Sequence, residues 1–188
     1  KTASLNVPRQ ELAQALRDKD GLVWVDLEDP SEFEADSLVE LFNFHPLAIE
    51  DCLNDLSEPK LDDYEEYLFL VVHAVDAASK EELKTVELDL FVTKDFVVTF
   101  HRKPVQSVTR VRELVNRSLD AFIPDGADML VHAVLDRLVD NYLPVVTEHE
   151  RKIDQLEDQL FNGADGEFLP RLLKLQKDVL YLKRIIAP

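Results

Sequence analysis

Adjacent and regularly spaced carboxylates are the residues of this chain best suited to chemistry. Glu50 and Asp51 are neighbours, and Asp136 and Asp140 are four residues apart. Carboxylate oxygens are ligands that Mg²⁺ and Ca²⁺ prefer. On a helix, neighbouring side chains diverge by about 100°, whereas Asp136 and Asp140 would share one face with Cβ atoms about 5–6 Å apart. A strong cation site therefore needs a further acid from elsewhere, and the alternative is an ordinary solvated acidic surface.

Other kinds of site have no matching pattern in the sequence. The five histidines show no paired metal-ligand spacing, and Cys52 has no second cysteine with which to hold zinc. The sequence contains no glycine-rich phosphate loop, serine-nucleophile elbow or HExxH motif. We therefore predict no catalytic residues, no organic cofactor and a non-enzymatic function.

The charge of the chain limits its partners. Its 38 acidic and 21 basic residues give a formal net charge of −17, which repels nucleic acid and attracts cations. Residues 26–66 hold fifteen of the acids and a single base, Lys60. We expect divalent cations as partners and no nucleic acid, and the single cysteine suits a reducing compartment.

Apolar periodicity predicts the elements that must position these acids. Strand-like runs occur at 22–25, 67–75, 83–92 and 96–101, and helical patterns at 8–16, after Ser31, after Pro46, from 105, at about 125–161 with a bend at Pro144, and after 166. Ser31 and Glu34 have capping-box spacing. The predicted fold is α+β, an α/β/α sandwich with a mixed, partly antiparallel central sheet. We place the α/β body at 1–122 and a long helical hairpin at 123–188.

The chain contains no apolar run of the roughly 18–20 residues that a membrane crossing requires. It begins without Met and ends within a helical pattern. We therefore expect a water-soluble segment of a longer protein, with part of the function residing beyond Pro188.

One segment resembles a known family. His45-Pro46-Leu47-Ala48-Ile49-Glu50-Asp51, followed by Cys52-Leu53-Asn54, is similar to the HPLxxEDxLN segment of the CorA family of Mg²⁺/Co²⁺ transporters. Further similar segments follow the family order: Trp24-Val25-Asp26-Leu27, Pro59-Lys60 with Tyr67-Leu68-Phe69, and Leu135-Asp136-Arg137-Leu138-Val139-Asp140-Asn141-Tyr142. Together they span nearly the whole chain.

The resemblance implies a cytoplasmic domain of a transporter in the cell (inner) membrane, cut off before two transmembrane helices per subunit. It implies a homopentameric funnel in which Mg²⁺ binds weakly between subunits and holds the pore closed. Asp51 would be the main regulatory ligand, Glu50 and Asp136 would belong to a neighbouring site, and the partner acid would come from a stalk helix. Asp140 joins this set through its helical spacing from Asp136.

Three alternatives remain at this level. A ZntB-like zinc transporter would share the fold but should have softer ligands and a less acidic surface. A metal-dependent hydrolase using Asp51, Asp136 and Asp140 would need these acids to converge within one subunit. A non-catalytic acidic scaffold would bind basic partners.

Overall fold

The computed structural model describes residues 7–18, 21–54, 58–76, 83–117, 126–163 and 166–186. Within these ranges, five strands form one sheet: β1 (Val23–Glu28), β2 (Lys60–Asp63), β3 (Leu68–Val75), β4 (Thr85–Val92) and β5 (Phe96–His101). The strand order is β1-β5-β4-β3-β2. Strand β1 is parallel to β5, and the other neighbouring pairs are antiparallel. The predicted α+β class with a mixed, partly antiparallel sheet is confirmed.

Helices surround this sheet. The described helices are α1 (Arg9–Asp18), α2 (Glu32–Phe42), α3 (Pro46–Leu53), α4 (Gln106–Arg117), α5 (Gly126–Asp140), α6 (Leu143–Asn162) and α7 (Phe168–Ile186). The predicted capping box begins α2: the Ser31 amide donates to the Glu34 carboxylate at 2.9 Å, and the Glu34 amide donates to Ser31 Oγ at 3.3 Å. Both otherwise unpaired amides at this helix start are thereby satisfied.

The two faces of the sheet bury two separate apolar clusters. On β4, Leu88 and Leu90 belong to a cluster shared with α4, α5 and α7, whereas Phe91 belongs to a cluster shared with α2 and α3. Successive strand side chains point to opposite faces, so one strand serves both clusters. In the second cluster, Phe44 stacks on Phe91 with ring centroids 3.9 Å apart. The sheet therefore lies between two helical layers, as the predicted sandwich requires.

The prediction of one long bent helix at 125–161 is wrong. Helix α5 ends at Asp140, and α6 starts at Leu143 with Pro144 in its first turn. Proline has no amide hydrogen, which a helix interior needs but a first turn does not, so Pro144 begins a new helix instead of bending one. Tyr142 fixes the junction, because its hydroxyl donates to the His73 carbonyl oxygen at 2.7 Å.

The hairpin of α6 and α7 is packed on the body at one end and exposed at the other. Leu182 and Ile185 of α7 join the same apolar cluster as the sheet. Much of the rest of both helices is exposed, including Leu160 and Leu172. The proposed boundary between 122 and 123 lies in 118–125, outside the described residues, and stays a prediction.

Strand β2 was not predicted from the apolar pattern. Its sequence, Lys60-Leu61-Asp62-Asp63, is dominated by charge, as is common for strands at a sheet edge. It pairs antiparallel with β3, with Lys60 opposite Val71. In the described part of the chain, no helix is both long and apolar enough to cross a membrane.

Candidate cation site

Helix α3 carries Glu50 and Asp51, and its start is fixed by its first residues. His45 is the N-cap, and its Nδ1 accepts a hydrogen bond from the Leu47 amide at 3.2 Å. Pro46 occupies the first helical position, where its fixed φ favours helix initiation. The His45 amide donates to the Tyr67 hydroxyl at 2.9 Å, which joins the helix start to the region just before β3. The rotation of α3 about its axis is therefore set by local contacts.

The same helix turns its apolar side inwards and its acids outwards. Ala48, Ile49 and Cys52 are buried in the second apolar cluster, whereas Glu50 is exposed and Asp51 is half-buried. Both acids lie in the last turn of this eight-residue helix. The backbone carbonyls at a helix C-terminus carry partial negative charge, so carboxylates there are unfavourable unless a cation is nearby.

Lys60 of β2 supplies such a cation. Its Nζ lies 2.7 Å from Asp51 Oδ2 and 2.8 Å from Asp62 Oδ2. Residues i and i+2 of a strand share a face, which explains why Lys60 and Asp62 both turn towards α3. The Lys60 side chain also passes over Phe69, with Nζ 5.5 Å from the ring centroid. Burial disfavours the charged lysine, but hydrogen bonds to Asp51 and Asp62 outweigh it and raise the pKa of Lys60.

A further acid, Asp89, lies in the core close enough to Asp51 and Lys60 to be affected by their charges. Asp89 of β4 is only 2% exposed, and no described residue donates a hydrogen bond to its Oδ1 atom. Burial first, and then the negative charges of Glu87 and Asp51, raise the pKa of Asp89 well above its usual range. Burial and the neighbouring Asp89 also raise the pKa of the Cys52 thiol. Burial therefore favours the neutral forms of both groups, which makes them poor cation ligands.

The other predicted ligands lie elsewhere. Asp136 and Asp140 are exposed on α5, which packs on the first apolar cluster, whereas α3 packs on the second. The sheet therefore separates Asp51 from Asp136 within one chain. Among the described residues, no three His, Cys, Asp or Glu side chains are grouped so as to hold a metal ion. The single-subunit site that the hydrolase alternative needs is not formed by Asp51, Asp136 and Asp140.

A polar cluster that sequence reasoning did not find lies at the opposite sheet edge. Asp26 Oδ1 accepts from Thr99 Oγ1 at 2.7 Å and faces His101 Nε2 at 3.1 Å, while Arg112 lies 3.1 Å from Oδ2. His101 Nδ1 lies 2.7 Å from the Lys103 carbonyl oxygen, so both ring nitrogens face oxygen atoms. Burial opposes the ionised form of Asp26, but the His101, Thr99 and Arg112 contacts outweigh it and lower its pKa. These carboxylate oxygens already have partners, so this cluster is a structural one.

A comparison with models of protein families identifies the family to which this chain belongs. Residues 19–188 match the family model described as CorA-like Mg²⁺ transporter protein. The chain belongs to the CorA-like Mg²⁺ transporter family. This family is one of transporters rather than enzymes.

Two curated relatives cover most of this CorA-like chain. The protein YfjQ of Bacillus subtilis (strain 168) is 38% identical over 165 residues, which are 88% of this chain and 50% of that protein. The cobalt/magnesium transport protein CorA of Thermotoga maritima is 29% identical over 150 residues, 79% of this chain and 43% of that protein. The chain therefore spans about half the length of these relatives.

Solved structures share the fold. The CorA magnesium transporter of Methanocaldococcus jannaschii matches with a TM-score of 0.71 at 19% identity, over 87% of this chain and 51% of that one. The cytoplasmic domain of ZntB from Vibrio parahaemolyticus matches with a TM-score of 0.67 at 13% identity, over 88% of this chain and 64% of that one. At such low identity these matches establish a common fold, which CorA and ZntB proteins share.

Proposed function

We propose that this chain is the cytoplasmic regulatory domain of a CorA-like divalent cation transporter, in which binding of intracellular Mg²⁺ between subunits closes the pore. The observation that carries the proposal is the half-buried Asp51 at the outer end of α3, held by a cation in the form of the Lys60 ammonium. The surroundings of Asp51 therefore favour a positively charged group beside its carboxylate. Family membership supplies transport as the process that the site would regulate.

The placement of the acids supports a site that is completed between subunits. Glu50 and Asp51 lie on one side of the sheet and Asp136 and Asp140 on the other, so their carboxylates are directed outwards instead of towards one point. A second copy of the chain, or a helix that follows residue 188, would supply the missing ligands. Mg²⁺ uses only one or two protein carboxylates and keeps several waters, which suits so sparse a site.

Exposed apolar residues on the helical hairpin support assembly. Large side chains there are 54–85% exposed: Leu160, Phe161, Leu169, Leu173, Leu180 and Ile186. Several exposed apolar side chains on one helical hairpin favour an interaction surface there. A homopentamer in the membrane transporter would cover this surface, and bound cations would offset the repulsion between copies of this domain, each with a formal charge of −17.

The ligand types favour Mg²⁺, with Co²⁺ or Ni²⁺ as further candidates, over Zn²⁺. The candidate ligands are carboxylates, which suit hard cations, whereas structural zinc sites use cysteine and histidine. Cys52 is buried, and its Sγ donates to the Ala48 carbonyl oxygen at 3.1 Å. The ZntB-like alternative rests on the shared fold. Competition of Zn²⁺ and Mg²⁺ for uptake by the reconstituted transporter distinguishes the two.

The regulatory role is tested in the transporter that carries this chain, reconstituted in liposomes. We expect Mg²⁺ influx to fall as internal Mg²⁺ is raised into the millimolar range, and the double variant Asp51→Asn/Asp136→Asn to remain open under the same conditions. The reason is that the asparagine side chain is neutral and lacks the negative charge with which aspartate binds the cation. Influx is followed with an entrapped Mg²⁺-sensitive dye.

The matched control removes the same amount of charge elsewhere. Glu11→Gln/Glu113→Gln neutralises two exposed acids of α1 and α4 and should close as the wild type does. If the Asp51/Asp136 variant still closed normally, these residues would not be the sensor. A control that also stayed open would attribute closure to total charge rather than to a site.

A further inference from the structure

Lys60 occupies the position on Asp51 that an arriving cation needs. The Lys60 ammonium is 2.7 Å from Asp51 Oδ2, which is a direct charge-assisted contact. We propose that Lys60 is a tethered counter-ion that competes with the divalent cation for Asp51 and so sets the concentration at which the site fills. This inference rests on the proposed role of Asp51 as a cation ligand, and it assigns a function to a residue outside the ligand set.

Competition follows from charge and distance. Mg²⁺ binds carboxylate oxygen at about 2.1 Å, and an ammonium on the same carboxylate would remain within a few ångströms of the ion. Like charges so close repel strongly at the partial burial of this site, where roughly a third of each side chain is exposed. Binding of the ion and retention of the Lys60 contact therefore oppose each other.

Asp62 gives Lys60 a second position. Lys60 Nζ is 2.8 Å from Asp62 Oδ2 while it contacts Asp51, so it need not lose its last partner when it leaves. The ammonium also lies over the Phe69 ring, with Nζ 5.5 Å from the ring centroid. A short shift of the ammonium towards Asp62 would release Asp51 without exposing an unpaired charge in the structure. Asp51 and Asp62 thus give the Lys60 ammonium two alternative partners.

The arrangement has a consequence for sensitivity. In an acidic domain, an uncompensated Asp51 would attract any cation at low concentration. A resident ammonium removes that attraction until the divalent ion is abundant enough to displace it. Weaker binding is the expected result, and the concentration at which the site fills is raised by Lys60 in the edge strand β2.

The test is a Mg²⁺ titration of the ¹⁵N-labelled full chain, followed by the amide signals of Asp51 and its neighbours. Lys60→Met keeps an unbranched side chain but removes the charge, and should tighten Mg²⁺ binding at Asp51 by about tenfold. Lys60→Arg keeps the charge and should leave the affinity near that of the wild type. Lys94→Met, in the exposed turn between β4 and β5, removes one positive charge elsewhere and serves as the control.

The outcomes separate the two proposals. Tighter binding in Lys60→Met but not in Lys94→Met or Lys60→Arg supports competition. Equal affinities in all four proteins, with binding abolished by Asp51→Asn, would overturn the role of Lys60 and leave Asp51 as a ligand. Mg²⁺-induced shifts that persist unchanged in Asp51→Asn would remove Asp51 from the ligand set and the competition with it.

Discussion

Asp26 and Asp51 lie near opposite edges of the same sheet and are held in different ways. Asp26, on edge strand β1, contacts Thr99, His101 and Arg112, and its side chain is 12% exposed. Asp51 contacts Lys60 of the other edge strand, β2, and its side chain is 33% exposed. The Asp26 carboxylate is largely buried and has three partners, two of them buried, whereas the Asp51 carboxylate is more exposed and lies beside a partly exposed lysine. Only the second is accessible to an ion from solution.

Asp89 adds a third case between these edges. Asp89 is more buried than Asp26, but its Oδ1 has no hydrogen-bond donor among the described residues. The pKa shifts of Asp26 and Asp89 have opposite directions, downwards for Asp26 and upwards for Asp89. Burial alone therefore does not decide the charge of a carboxylate in this fold; the donors around it do.

The largest expected effect comes from removing the charge of Asp26. Asp26→Asn removes the charge that pairs with Arg112 and that strengthens the contacts with Thr99 and His101, and weakening of these charge-assisted hydrogen bonds should lower the free energy of unfolding by about 3 kcal/mol. Urea unfolding followed by circular dichroism at pH 7 measures this. Glu28→Gln, an exposed position on the same strand, should change stability by less than about 0.5 kcal/mol. A loss below about 1 kcal/mol for Asp26→Asn would mean that the cluster is not a structural anchor.

The next effect is a pH dependence with opposite signs at the two buried acids. Stability from Asp26, whose pKa is lowered, is present above the unfolded value of about 3.9 and is lost as pH falls through the folded pKa. Stability from Asp89, whose pKa is raised, is fully present below about pH 3.9 and is lost as pH rises through the folded pKa. Within the acidic pH range, Asp26 thus stabilises the fold more at higher pH and Asp89 more at lower pH.

Asp89→Asn isolates the second contribution. The amide has the same shape but does not titrate, so the variant should gain stability relative to the wild type as pH rises from 4 to 7, by about 1.4 kcal/mol for each unit of the upward shift. Unfolding curves at pH 4, 5.5 and 7 give this difference. Differences that do not change with pH would show that Asp89 ionises normally in the folded protein.

The smallest effect on stability is expected at Asp51. Because its pair with Lys60 is about one-third exposed, Asp51→Asn should change the free energy of unfolding by no more than about 1 kcal/mol. Added 0.5 M NaCl should shrink this change further, since salt screens exposed charges. A large, salt-independent loss would make Asp51 a structural residue like Asp26 and would weaken the case for a cation site.

Local patterns predicted much of the fold and part of the site. The alternation of β3, β4 and β5, the Ser31–Glu34 capping box and the helix after Pro46 each depend on residues close in sequence. Strand β2 escaped prediction because its charged sequence resembles a loop. The break at Pro144 was misread because the same residue bends a helix from within or begins a new one, and packing of Tyr142 against β3 selects the second.

The sequence by itself determined the fold class, the family resemblance and the position of Glu50 and Asp51 at the end of a short helix. Tertiary structure decided which acids have partners. Asp26 and His101 are 75 residues apart in the chain and meet only because β1 pairs with β5. Lys60 reaches Asp51 because β2 pairs with β3 beneath α3. The charge and accessibility of a carboxylate depend on the donors and solvent around it, and these are set by strand pairing and packing rather than by neighbours in the sequence.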